Sequence, residues 1–92
     1  MYKILPYTYT QAKRLGVQVF PTTDGKHKLE VYDKRGVFIC FVGAAGYLDY
    51  PSYLAKFGKE LANKRRLLYK IRHKKDRKVV GSVGWYADQL LW

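Results

Sequence analysis

The sequence predicts an α+β fold: a small, mainly antiparallel three-stranded sheet packed against one long basic helix, with short helices flanking them. Three observations lead there. The runs KLEVYD (28–33) and VFICFVG (37–43) are rich in β-branched and aromatic residues and stand on either side of the short connection KRG. A third run, VQVF (17–20), alternates as a strand does. Between residues 59 and 76, Leu61, Leu68 and Ile71 recur at offsets of seven and three while the remaining positions are mostly cationic, which is the pattern of an amphipathic helix.

Each element has a local justification. Residues 1–7, MYKILPY, read as an N-terminal arm whose tyrosines are available to a partner. YTYTQAKRLGV reads as a helix over 9–15. Thr8 or Thr10 is placed to cap it, because a hydroxyl accepts from an orphan backbone N–H. Lys13 and Arg14 suit the negative end of its dipole, and Gly16 can stop it in the left-handed conformation. PTTDGK is a reversal, with Asp24-Gly25 its signal. In strand 28–33, Leu29, Val31 and Asp33 share one face, Glu30 and Tyr32 the other. Gly36 can take positive φ in the hairpin that follows. Strand 37–42 is apolar on both faces, so it is expected at the centre of the sheet. Pro51 suits the first turn of a helix over 51–57, and Gly58 breaks or bends it. The basic helix follows over 59–76, with Ala62, Leu67 and Tyr69 beside its apolar stripe. VVGSVG is a glycine-punctuated connection. WYADQLLW is a final apolar helix, 85–91, whose Trp85, Leu90, Leu91 and Trp92 cover the core.

Ninety-two residues are expected to form a single domain, at a size where the core must be dense in large side chains. Nine Tyr, four Phe and two Trp supply that density and exceed what so small a core easily absorbs. The one cysteine, Cys40, allows no internal disulfide and reads as a buried small hydrophobe. No run of about 18 apolar residues is present, and the N-terminus lacks a signal peptide's pattern, so an intracellular protein is expected.

Charge is the strongest signal. Of eighteen Lys and Arg, eleven lie between residues 56 and 78 with only Glu60 and Asp76 to offset them, so that segment holds nine of the eleven net positive charges. Like charges on one helix repel, and an anionic partner would relieve the repulsion. The candidate anion, nucleic-acid or partner contacts are Lys64, Arg65, Arg66, Lys70, Arg72, His73, Lys74, Lys75, Arg77 and Lys78. Lys and Arg match phosphate, and no side-chain pattern here announces base reading, so binding independent of sequence is expected. The alternative is that the run is merely a solvated face.

Chemistry is not indicated. The seven acids form no cluster spaced to hold two metals. Asp49 is either a ligand or the cap of the Pro51 helix. His27, His73 and Cys40 lack zinc spacing. His73 is a base or simply a partner for a phosphate or a carbonyl. GAAG lacks the Gly-Lys-Ser/Thr of a phosphate loop. The expectation is a non-enzymatic protein with no catalytic residues, cofactor, metal or small-molecule substrate.

Four stretches, YTYTQAKRLGV, GAAGYLDYPSYL, KRRLLYKIRHKKDR and GWYADQLLW, occur in this order. Together they resemble a family of small basic proteins encoded by large (giant) DNA viruses and by related environmental viral genomes. Its most specific feature is an Arg72-His73-x-Lys75-Asp76 pattern followed by a glycine link into G-[WY]-Y-A-D-x-[IL]-L-W, here beginning Gly84-Trp85-Tyr86. The resemblance covers residues 7–92 and brings no functional residues with it. It implies a structural protein of the virion, a minor capsid component that binds larger coat proteins or the genome through its basic helix. Its setting would be the virion and the host-cell interior during infection, with self-association left open. The alternatives are a nucleic-acid-binding protein acting outside the virion and, third, an enzyme fragment with an unrecognised site.

Overall fold

The computed structural model describes residues 2–92. The chain is α+β, with one three-stranded antiparallel sheet and four α-helices among the described residues. It divides into two compact units, residues 1–46 and 47–92.

In the first unit, helix α1 runs Pro6–Leu15, three residues earlier than the hydroxyl-cap reading places it. Pro6 at the first helical position explains the start, since its missing N–H is one the helix leaves unbonded anyway. The cap is Leu5, without a side-chain bond, while Thr8 is buried within the helix and Thr10 donates to the Pro6 carbonyl. Gly16 ends the helix at φ 73°, as its position predicts, and its N–H reaches the carbonyls of Ala12 and Lys13. The expected arm is not free: Ile4 is buried, and the Lys28 ammonium lies 5.4 Å from the centre of the Tyr2 ring.

Strands β1 (Gln18–Pro21), β2 (His27–Tyr32) and β3 (Phe38–Ala44) follow in the order β1-β2-β3. The central strand is therefore β2, and the apolar run expected in the middle forms an edge. The reason is that β2 pairs with β1 on its other side; β3 itself carries an irregularity in register. Val31 pairs with Cys40, but Tyr32 pairs with Phe38, which leaves Ile39 as an extra residue in β3. Three residues apart, Phe38 and Phe41 would point to opposite faces of a regular strand; the bulge turns them to the same one. What reads as two apolar faces is one buried face plus one aromatic face. Val19, Leu29, Val31 and Val42 are buried on the first, with Cys40 half-buried beside them, its thiol pKa raised by burial.

The turns are built by carboxylates. Asp24 Oδ1 accepts from the N–H groups of Lys26 and His27, and its Oδ2 lies 2.8 Å from His27 Nδ1. The His27 ring, with the backbone N–H groups of His27 and Lys26, holds the Asp24 carboxyl well below the usual carboxylate range. Asp33 Oδ1 accepts from Arg35 and Val37 N–H in the β2–β3 turn.

In the second unit, α2 spans Tyr50–Phe57, α3 Lys59–Arg72 and α4 Val83–Leu91, with a short 3-10 turn at Asp76–Lys78. Asp49 caps α2 by accepting from Ser52 N–H at 3.0 Å, so of its two expected roles the cap is the observed one. Gly58, at φ 91°, separates α2 from α3. The long basic helix is shorter than expected: α3 has 14 residues, about 21 Å, and ends at Arg72 instead of residue 76. The Arg77 guanidinium explains the stop, because its Nε donates to the Lys70 carbonyl in the helix's last turn. The expected apolar stripe is also displaced. Ala62 and Tyr69, one heptad apart, are the buried residues of α3, while Leu68 and Ile71 are exposed. Small Ala62 allows close approach, and Tyr69 brings a larger apolar surface than either aliphatic residue.

Helix α4 starts at Val83, two residues before the expected start; Ser82 caps it by accepting from Trp85 N–H, and its hydroxyl donates to the Asp76 carbonyl. Gly84 then lies flat against the 3-10 turn: a Cβ there would sit 2.8 Å from Asp76 Cβ and 3.1 Å from Asp76 backbone atoms. Gly84→Ala should therefore destabilise the protein by about 1–2 kcal/mol, despite alanine's higher helix propensity, because backbone cannot step aside. Urea unfolding followed by circular dichroism checks this; a rise in midpoint would contradict it.

Candidate polyanion-contact surface

The ten residues picked out by charge divide into two groups. Lys64, Arg65, Arg72, Lys74, Lys75 and Lys78 are exposed. At about 100° per residue, Lys64, Arg65 and Arg72 fall within an arc of about 100° on α3, which also carries Leu61 and Leu68. Lys74, Lys75 and Lys78 continue the charge through the turn after the helix. Among the described residues, none of these six lies within ion-pair distance of a carboxylate.

The other four are tied into the unit. Lys70 Nζ lies 2.7 Å from Asp88 Oδ1, and Asp88 is only 4% exposed. This ion pair joins α3 to α4. Arg66 places its guanidinium 4.5 Å from the centre of the Tyr50 ring on α2, next to the hydrogen bond from Tyr50 Oη to Asn63 Oδ1. Arg65, although exposed, makes a looser contact of the same kind with Tyr53, at 5.6 Å. Arg77 closes the end of α3. The His73 ring stacks on Tyr69 at 4.4 Å, and its Nδ1 is 3.6 Å from Asp76 Oδ2.

Tyr69 is the hub of this arrangement. Its other stacking partner is Trp92, at 4.3 Å with the rings only 5° from parallel. Burial pushes the Tyr69 hydroxyl up to about 12, with the nearby carboxylates of Asp88 and Asp76 adding to the shift. The segment GWYADQLLW thus has structural work at most of its positions. Gly84 gives close approach, Asp88 pairs with Lys70, Leu90 and Leu91 are buried, and Trp92 stacks on Tyr69.

Charge counting did not single out a second surface, on the sheet. Phe20, Tyr32, Phe38 and Phe41 come together there with His27. The signal was in the sequence, as aromatic residues in three neighbouring strands, but reading it required the bulge.

Among the described residues, no group of three or more His, Cys, Asp or Glu is placed to hold a metal ion, and no helix is long and apolar enough to cross a membrane. Compared with protein-family models, with curated proteins and with solved structures, the chain matches none.

Two outcomes test this division of labour. Lys70→Met should cost roughly 3–5 kcal/mol, since it strands a buried carboxylate, and Asp88→Leu added to it should restore much of that loss. Equal stability of the single and double variants in denaturant melts would refute the pairing role. For Tyr69, the folded pKa lies above the unfolded value near 10. Its contribution of roughly 2–3 kcal/mol should hold below pH 10 and fade as pH rises toward 12. The check is absorbance at 295 nm, where Tyr69→Phe should remove the highest-pH step.

Proposed function

We propose that the protein is a non-enzymatic binder of nucleic-acid phosphate, using the exposed cations of residues 64–78. The observation that carries this reading is the sorting of the charge. Lys70, which turns inward, has a carboxylate of its own, whereas the six exposed cations have none among the described residues. A merely solvated face would be expected to interleave both signs, as surface helices do when i,i+4 pairs stabilise them. Here the repulsion within the segment is left for an external anion to relieve.

Phosphate contact of this kind carries no sequence information. Neutralising about five phosphates gives a log–log salt slope of about −4 to −5. The resemblance of the Arg72–Asp76 and Gly84–Trp92 segments to proteins of large DNA viruses supports a particle as the setting. There the protein would be a minor virion component lying against the genome or against acidic patches of larger coat proteins. The second setting is the infected cell outside the particle, with the same chemistry.

Fluorescence anisotropy with a labelled duplex tests the binding. Affinity should fall by only about two decades for each tenfold rise in salt once Lys64, Arg65 and Arg72 are all replaced by alanine, against four to five for the parent chain. The loss should be alike for every sequence tried. No binding at low salt would end the reading. Mass spectrometry of purified particles separates the settings, fixed stoichiometry favouring the virion and absence favouring the cell.

A further inference from the structure

The outer face of α3 carries more than charge. Leu68 and Ile71, which the sequence pattern sets toward the core, turn outward together with Leu67, because Ala62 and Tyr69 occupy the inner face. Leu67 is 61% exposed, Leu68 47% and Ile71 63%. Ile71 stands four residues after Leu67 and three after Leu68, so the three are neighbours on the helix surface and form one patch. At about 100° per residue they span an arc of about 100°. Lys64 falls inside that arc, and Arg72 and Arg65 lie about 40–60° beyond Leu68. The same mixture continues past the helix, where Val79 and Val80 are exposed and directly follow Lys78.

Few carboxylates interrupt this surface. Between residues 56 and 78, eight exposed cations stand against two exposed carboxylates, Glu60 and Asp76. Glu60, two turns before Leu67 at the start of α3, is the one acid on the arc. The other two acids of the unit are buried and engaged: Asp49 caps α2, and Asp88 pairs with Lys70. The face is therefore an aliphatic patch set among cations, with a large excess of positive charge.

We infer that the outer face of α3 also lies on an anionic lipid bilayer, with Leu67, Leu68 and Ile71 entering the boundary between headgroups and acyl chains and Lys64, Arg65 and Arg72 meeting lipid phosphates. Charge complementarity selects an anionic partner and excludes a second copy of this chain. The aliphatic patch then selects among anions. The edge of a duplex offers phosphate and sugar and leaves the three aliphatic side chains without an apolar partner, and they have no ring to stack on a base. An acidic bilayer offers phosphate and hydrocarbon side by side. A protein groove would have to bury Lys64 with the patch, whereas at a bilayer its stem follows the apolar surface and its ammonium reaches the headgroups. With 14 residues α3 is too short to span the hydrocarbon, so it lies in the interface plane. The inference shares its cations with the reading above but not its ligand, and the two fail separately in the test.

Co-sedimentation of the full chain with vesicles tests this, using phosphatidylcholine alone and phosphatidylcholine with about one-third phosphatidylserine. The parent chain should bind the acidic vesicles about tenfold or more tighter than the neutral ones. Leu67→Ser with Ile71→Ser should weaken binding to acidic vesicles by about tenfold or more, and should leave duplex binding and the urea midpoint unchanged, since both side chains are exposed. The triple alanine variant of Lys64, Arg65 and Arg72 should weaken binding to vesicles and duplex alike. In acidic bicelles spin-labelled on the acyl chain, the methyl resonances of Leu67, Leu68 and Ile71 in the parent chain should broaden, while those of buried Leu90 and Leu91 should not. No binding to acidic vesicles, serine variants that bind them as the parent does, or unbroadened Leu67 and Ile71 methyls each overturn the inference, whatever the duplex result. A serine variant that loses duplex binding as strongly as vesicle binding assigns the patch to nucleic acid and overturns it too. A parent chain that binds acidic vesicles but no duplex ends the nucleic-acid reading and leaves this one standing.

Discussion

The ion pair of Lys70 with Asp88 is the contact on which the second unit depends. It takes one ammonium out of the most positive segment of the chain and sets it against a carboxylate that is almost fully buried. Lys70 cannot be dropped alone, because Asp88 would be left a buried charge without counter-charge. The pair also fixes α4 relative to α3, and that placement brings Trp92 flat onto Tyr69 and Leu90 and Leu91 into the interior. Removing charge from the crowded segment and closing the core are thus parts of one event.

The same logic extends to the remaining cations. Arg66 and Arg77 bury part of their length while their charges are met by a ring face and a helix-terminal carbonyl. Those contacts leave Lys64, Arg65, Arg72, Lys74, Lys75 and Lys78 outside. A net charge concentrated like this destabilises the compact state through self-repulsion, so a binding partner and the fold have a shared interest in its neutralisation. A polyanion that bound only the folded chain would accordingly stabilise it.

The first unit solves a different problem. A three-stranded sheet has two faces, and α1 contributes only Thr8 and Ala12 as buried residues. One face is aliphatic and buried. The other is aromatic and partly exposed, its rings supporting one another edge to face. Both hairpin turns are organised by an aspartate that accepts backbone N–H groups, so the turns stay ordered while their lysines and arginine remain exposed.

Local signals were legible in the sequence by itself. Strand and helix types, the left-handed stop at Gly16, the positive φ of Gly36 in its hairpin, the Asp49 cap and the break at Gly58 each depend on residues a few positions apart, and all of them stand in the structure. So did the concentration of charge between residues 56 and 78. Tertiary structure decided what depends on distant partners. The strand order that leaves β3 at an edge and the bulge that gives it one aromatic face are matters of pairing, and no periodicity within 37–43 encodes them. The end of α3 at Arg72 rests on a guanidinium that folds back from Arg77. That Lys70 turns inward was decided by Asp88, eighteen residues beyond it, because a charge turns inward only where a partner waits to receive it.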